Sequence, residues 1–367
     1  MSSQVNPLAP PVNGDSQRTR LLYEACARVA EVDVITFAGQ TWCPSPQGKL
    51  KKWIALLPWS ELTDLFPVDP NKEALVDAAV QKGNYDYIVA RYFYRAIPCG
   101  LWKYREKLVI DFDDDLPFFF LNQLTLSSAI TTRVRLKLAA IRAKTVVRRA
   151  VKKVHASFFA EEAVAETNRG LFLPNIPSYS DDCPDADMNV MVKRLVFVGQ
   201  LEYSPNKEGL NHFLEQIYLP LIGKYPNVEM HVVGIIKDKS LREQWQSFPG
   251  VTVTGFVDDL RKEYDESHVV VVPVYRCGAT NIKLLEAMAM NRACVTTVEA
   301  LDKLNGRFEN GRDLYAAAND DEYVEMLFRL LTDETENHRV AHNAKTTMND
   351  YYSFDSFCQI VKNAIMK

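Results

Sequence analysis

The sequence has no CxxC pair, no apolar run near the roughly 20 residues that a bilayer-spanning helix needs, and no positive excess. Each absence excludes something. The seven cysteines, at 26, 43, 99, 183, 277, 294 and 358, are scattered and odd in number. That pattern argues against a disulfide framework and for reduced thiols in a cytosolic setting. The six histidines show no metal-ligand spacing. A net charge of -4 gives the molecule as a whole no attraction for nucleic acid. The opening "MSSQVNPLAPPVNGDSQ" lacks both a charged start and an apolar core, so a secretory signal is not expected. There is no internal repeat.

What is present is an ordinary globular composition, 47% hydrophobic and 25% charged, in 367 residues. That length is too great for one core and comfortable for two. Short apolar runs alternate with helical stretches. Strands are predicted at "VDVITFA" (32–38), "YDYIVARYF" (85–93), "LVIDFD" (108–113), "VHASF" (154–158) and "LFLPN" (171–175). A Pro-, Ser- and Asp-rich stretch follows and reads as a linker over 177–192. A second series then begins: "RLVFVGQ" (194–200), "VEMHVVG" (228–234), "VTVTGF" (251–256), "HVVVVPV" (268–274) and "ACVTT" (293–297). Continuous β-branched runs indicate strands buried on both faces. With helices between them they predict two Rossmann-like, doubly wound parallel sheets. The expected domains are 1–176 and 193–348. A C-terminal helix within 349–367 carries Phe354, Phe357, Val361 and Ile365 on one face, expected to turn back onto the N-terminal domain.

The densest chemistry lies in "VVVVPVYRCGATNIKLLEAMAMNRACVTT", 269–297. A buried strand ends at Pro273, a loop containing Gly278 follows, and a helix starts near Thr280 or Asn281. Backbone N–H groups at such a helix start form a seat for a phosphate or diphosphate. Thr280 is a candidate cap or phosphate ligand. Glu286, flanked by Leu285 and Ala287, is a carboxylate in an otherwise apolar helix, and a buried charge needs a partner. A Lys283–Glu286 pair on the helix surface is the plainer reading of the same residues.

The ordered set "FVGQLEYSPNKEGLNHF", "VEMHVVG", "VTVTGFVDDLRKEYDESHVVVVPV" and "IKLLEAMAMNRACVTT" resembles the donor domain of retaining nucleotide-sugar glycosyltransferases of family four, across 194–317. More loosely, "APPVNGDSQRTRLLYEACARVAEVDVITF" and "LFLPNIP" are similar to the opening and closing segments of that family's first domain. The resemblance implies a GT-B fold, with two such domains facing across a cleft. It also implies no cofactor beyond the nucleotide diphosphate sugar that serves as donor. It places Glu286 on the donor ribose, and Gly278, Ala279, Thr280 and Asn281 around diphosphate and sugar. The turn Gly255, Phe256 and Val257 is placed at the base, with Lys207 and Arg276 as cations for the diphosphate and Lys283 beside them. There are departures. Many members carry an acid eight positions before the glutamate, where this chain has Gly278, and an arginine where it has Gln200. The opening "MSSQVNPL" is polar where the family has an apolar strand.

Four aspartates within "DFDDD", 111–115, end an apolar run. Three readings stay open for Asp111 and Asp113: cleft residues that contact acceptor or donor hydroxyls, a solvated strand end, or a metal pair. The resemblance favours the first and implies no metal, since Asp-x-Asp metal enzymes have a different transferase fold. "PPVNGDSQRTR" places Gly14 and Arg18 at a loop-to-helix start, suited to a reacting sugar or to a mere turn. Residues 131–153 hold nine Arg or Lys and no acid. A basic helix of this kind suits an anionic membrane surface, an anionic acceptor or a solvated outer face. It has no interleaved aromatics, which argues against nucleic acid.

The function these readings imply is transfer of a sugar from a nucleotide diphosphate sugar to a glycan, lipid-linked or other hydroxyl acceptor, with retention at the anomeric carbon, in glycan or polysaccharide assembly. The expected setting is cytoplasmic, with peripheral membrane contact through the basic helix. A sugar-nucleotide epimerase of similar architecture and a non-catalytic nucleotide-binding protein remain as alternatives.

Overall fold

The computed structural model describes residues 2–3, 7–8, 14–36, 66–113, 120, 130–177, 183–276 and 280–366. The chain divides into two compact units. Unit 1 is Met1–Pro174 with Phe354–Lys367, and unit 2 is Asn175–Ser353.

Unit 1 is built on six strands: β1 (Ser2–Ser3), β2 (Ile35–Thr36), β3 (Ile88–Arg91), β4 (Leu108–Asp113), β5 (Ala156–Phe159) and β6 (Leu171–Phe172). They lie in the order β2-β1-β3-β4-β5-β6, and every pairing is parallel. All six residues of β4 are buried, which explains its unbroken apolar start. β1 forms from two serines: a strand with a neighbour on each side is held by its backbone ladder, and apolar side chains are not required. The helices are α1 (Gly14–Ala27), α2 (Pro70–Gly83), α3 (Ile130–Val151) and α4 (Glu162–Asn168). α2 starts where Asp69 accepts from the N–H groups of Asn71 and Lys72, with Pro70 at the first helical position. α3 buries Val146, Val147 and Ala150 in a core with Phe93, Phe112 and Phe159, whose rings stack at 5.4 and 4.9 Å.

Unit 2 has strands β7 (Lys193–Val198), β8 (Val228–Val233), β9 (Val251–Gly255), β10 (Val269–Val272), β11 (Ala293–Thr297) and β12 (Tyr315–Ala317). Their order is β12-β11-β10-β7-β8-β9, again parallel throughout. Its helices include α5 (Ser204–His212), α6 (Lys239–Gln246), α7 (Leu260–Asp265), α8 (Ile282–Ala289), α9 (Asp320–Thr332) and α10 (Glu334–Tyr352). Asp238, Asp259, Asn319 and Asp333 cap α6, α7, α9 and α10 through their side chains. Residues 183–188, within the stretch read as a linker, lie against unit 2. Arg292 donates to the Pro184 carbonyl, Asn291 to Asp185, His268 meets the Asp187 carbonyl and His338 that of Ala186. α11 (Phe354–Ile365) belongs to unit 1. It buries Phe357, Val361 and Ile365, and Arg28, in the turn just after α1, covers Phe354 at 4.4 Å and pairs with Asp355 at 2.6 Å.

Cys26, Cys99, Cys183, Cys294 and Cys358 are free thiols. Among the described residues, no helix is long and apolar enough to cross a membrane.

Candidate functional site

In a doubly wound sheet, ligands bind outside the carboxyl ends of the strands where the strand order reverses. In unit 2 that point lies between β7 and β10, because the chain goes from β7 outward through β8 and β9 and then returns to the other side of β7. Three glycines let backbones close in there. A Cβ on Gly234 would sit 1.8 Å from the Gly199 carbonyl, and one on Gly209 of α5 would sit 1.8 Å from the Pro273 carbonyl at the end of β10. A Cβ on Gly199 would meet the amide of Asn206 at 3.1 Å and the ammonium of Lys283 at 3.2 Å. Lys283 thus stands over the end of β7. Its Nζ donates to Asn206 Oδ1 at 2.5 Å and lies 4.6 Å from the Phe197 ring centre. Asn206 in turn donates to the Gln200 carbonyl at 2.8 Å, which fixes the amide that orients the lysine.

Glu286 follows one turn later on α8. It is partly buried, and Tyr264 of α7 donates its hydroxyl to Oε2 at 3.3 Å. Desolvation pushes the carboxyl up to about 7, against the Tyr264 hydrogen bond and the Lys283 charge, which pull it down. Such a group gains from any hydroxyl donor that reaches it. Tyr264 is itself fully buried, and its carbonyl accepts from Arg292, which has no exposure and also donates to the carbonyls of Pro184, Asn291 and Asp265. Arg292 therefore ties the end of α7 to the turn before β11.

The remaining expected residues of this unit fall as follows. Asn281 is the N-cap of α8 and makes no side-chain cap bond there. Thr280, expected as cap or phosphate ligand, is not the cap; its hydroxyl donates to the Lys303 carbonyl at 2.9 Å. Gly278 and Ala279 lie outside the described residues. Arg276 pairs with Glu208, which also accepts from Ser204. Lys207 sits on α5 and is half-buried. Gly255 ends β9 at φ 86°, a left-handed conformation that favours glycine. The next residue, Phe256, is 66% exposed, and Val257 is half-buried.

Unit 1 has its own reversal between β1 and β3. Gly14 is the first residue of α1. Arg18, on the same helix, is buried and grips Asp111 through Nε at 2.9 Å and Nη2 at 2.7 Å, with Nη1 on the Leu173 carbonyl at 3.0 Å. Arg91, at the end of β3, donates to Asp111 at 3.0 Å, to Thr19 at 2.6 Å, and to Asp113. Asp111 is fully buried with both oxygens engaged. Burial raises its pKa, but Arg18 and Arg91 outweigh that and hold the carboxyl below the usual range. Asp111 therefore has no oxygen turned to solvent, where the sequence suggested contact with a hydroxyl. Asp113 is 9% exposed and accepts from the Tyr92 hydroxyl at 3.0 Å. Tyr92 and Asp113 both have positive φ, 62° and 60°, at the carboxyl ends of adjacent strands. For a bulky residue such as Tyr92 this is strain, and such strain gathers at functional sites.

Sequence reasoning missed Arg91, Tyr92, Asn206, Tyr264 and Arg292. The signal for Arg91 was available: a lone cation at the end of "YIVAR", in an otherwise apolar strand.

Residues 192–333 match the family model for glycosyl transferases group 1. Among solved structures, the chain is similar to sucrose-phosphate synthase from Thermosynechococcus elongatus, at TM-score 0.67 and 14% identity over 99% of this chain and 97% of that one. It is similar to WaaG, a glycosyltransferase involved in lipopolysaccharide biosynthesis, at TM-score 0.62 and 16% identity over 100% and 98%. HepE of Anabaena, in complex with UDP and glucose, matches at TM-score 0.61 and 13% identity over 100% and 98%. At such identities the likeness is one of fold. No curated protein matches the sequence. Unit 2 thus carries a group 1 glycosyl transferase domain, and the two parallel-sheet units have the fold of the GT-B glycosyltransferases.

Proposed function

We propose that the chain is a retaining glycosyltransferase that moves a sugar from a nucleotide diphosphate sugar to a hydroxyl acceptor, in glycan assembly. The observation that carries this is the placement of Lys283 and Glu286 on one face of α8, beside the reversal point of the unit 2 sheet. Lys283 is held by Asn206 above Gly199, and Glu286 is desolvated, with Tyr264 as its hydroxyl donor. A diphosphate suits the first, together with the backbone donors at the start of α8; ribose hydroxyls suit the second. The exposed ring of Phe256 and the Gly255–Val257 turn offer a face and backbone groups for a base. Lys207 and Arg276, with Thr280 and Asn281, lie on the segments that follow β7 and β10 and would complete the diphosphate site.

In this reading the leaving diphosphate is stabilised by fixed positive charge, with no cofactor. Unit 1 serves the acceptor. Arg18, Arg91 and Asp111 lock the ends of β3 and β4, and Tyr92 and Asp113 are the groups at those ends that meet the acceptor. A metal role for the aspartates is disfavoured because two guanidinium groups already surround them and would repel a cation.

The HepE complex makes uridine diphosphate sugars the first donors to test. The test is a calorimetric titration with a panel of nucleotide sugars, followed by NMR of the product anomer. Binding with transfer and retained configuration supports the proposal. An isomerised nucleotide sugar formed without acceptor indicates an epimerase, and binding without any turnover indicates a non-catalytic protein.

A further inference from the structure

We propose that the outer face of α3 inserts into the surface of an anionic lipid membrane. The second half of this helix packs inward: Ala139, Ala140, Ala143, Val146, Val147 and Ala150 are buried, while 130–138 are exposed apart from half-buried Leu136. The outer face of a helix so placed is ordinarily polar. Here it carries Ile130, Val134, Leu138 and Ile141, which are 78, 46, 37 and 62% exposed. At about 100° per residue these four fall within about 80° of each other, a single stripe opposite the buried face.

Cations line the stripe. Arg133, Lys137 and Lys144 lie along one side and Arg135 along the other, all exposed, and Arg148, Lys152 and Lys153 continue the positive surface past its end. Arg142, one of the nine cations counted in 131–153, is 3% exposed on the inner face and takes no part. No Asp or Glu falls anywhere in 130–153, although the chain as a whole has net charge -4. The positive charge is therefore local to this helix.

Charge complementarity selects the occupant. Aliphatic side chains between long cationic ones are the pattern of a helix lying in the headgroup region: the apolar stripe enters the acyl boundary while Lys and Arg reach back to lipid phosphates. The helix has 22 residues, about 33 Å, and the apolar stripe occupies its first half, about 18 Å. Charge alone would give adsorption that salt removes; the stripe adds a component that salt does not screen. The proposal is independent of the donor site, and it adds to the transferase reading only that the acceptor is met at a membrane.

The test is co-sedimentation of the whole chain with vesicles of phosphatidylglycerol and phosphatidylcholine, against pure phosphatidylcholine, at about 0.05 M and about 0.5 M salt. The expected result is binding to the anionic vesicles only, with a fraction that persists at high salt. Ile130→Ser, Val134→Ser and Ile141→Ser together should abolish the salt-resistant fraction. Arg133→Gln, Arg135→Gln, Lys137→Gln and Lys144→Gln together should lower low-salt binding at least about tenfold, the scale expected of several lost headgroup contacts. All these positions are exposed, so circular dichroism and nucleotide-sugar affinity should match the wild type in both variants. Wild-type binding that is absent, equal on neutral vesicles or unchanged in the serine variant overturns the proposal. So does self-association that the serine variant removes without any vesicle binding.

Discussion

At the scale of single residues, Glu286 is the group whose chemistry is most exposed to measurement. Its folded pKa is about 7 against an ordinary 4.5. Below the unfolded value both states are protonated and the fold keeps its full stability. As pH rises through 4.5 toward 7 the unfolded state ionises first, so stability falls, and the loss is complete above the folded value. Glu286→Gln mimics the protonated form. It should be more stable than wild type at about pH 8, by about 1–3 kcal/mol, and no more stable at about pH 4.5, as read by urea denaturation. Tyr264→Phe removes a donor that pulls the carboxyl down and leaves the buried ring in place. The pH midpoint for nucleotide-sugar binding should then move upward, a shift that a purely structural tyrosine would not cause. Asp111 behaves in the opposite sense. Its carboxyl is held low by Arg18 and Arg91, so its contribution is present above the ordinary carboxylate range and is lost as pH falls through the lowered value. Asp111→Asn would leave two buried guanidinium groups under-paired. The expected cost is about 3–5 kcal/mol, and a variant within about 1 kcal/mol of wild type in the same denaturation assay would contradict this account of the cluster.

At the scale of elements, close backbone approach shapes the proposed donor site. Gly209 lets α5 rest on the end of β10, and a Cβ there would lie 1.8 Å from the Pro273 carbonyl. Gly209→Ala must push the helix outward, at about 1–3 kcal/mol by denaturation, and because Asn206 lies on the same helix it should weaken nucleotide binding as well. The elements were largely legible in the sequence, for identifiable reasons. "HVVVVPV" and "LVIDFD" read as strands because both faces of β10 and β4 are buried, which leaves no polar alternation. β12 was not legible: "YAA" is three residues, and its place on the sheet edge comes from its pairing with β11. The candidate site was legible where chemistry stands out locally, as with Glu286 and Lys283, charged residues in an otherwise apolar helix. It was hidden where partners come from afar. Asn206 lies 77 positions from the lysine it orients, and Arg91 and Asp111 lie 20 apart on neighbouring strands. No spacing rule within one element reports such pairs. The cap reading of Thr280 failed for a related reason: Asn281 takes the cap position, and the Thr280 hydroxyl finds the carbonyl of Lys303, 23 positions on.

At the scale of the whole molecule, the chain crosses its own sequence order. α11 is the last helix, yet it completes unit 1, where it covers α1 through Phe357, Val361 and the Arg28–Asp355 pair. Truncation after Ser353 should therefore destabilise unit 1 and leave unit 2 able to bind nucleotide; thermal unfolding with and without nucleotide sugar would separate the two effects. The central claim is that unit 2 holds a nucleotide diphosphate sugar with its ribose on Glu286. The most direct measurement is calorimetric titration of wild type and Glu286→Gln with a nucleotide sugar, from about pH 5.5 to about pH 8.5. Such a ligand has no ionisation of its own in that range, so a pH dependence belongs to the protein. Hydroxyl donors favour the ionised carboxylate, so wild-type affinity should rise with pH through about 7. The glutamine variant should bind about 10- to 100-fold more weakly at the upper end, equivalent to about 1–3 kcal/mol, with no such rise. Equal affinity in the two proteins across the whole pH range would contradict the account.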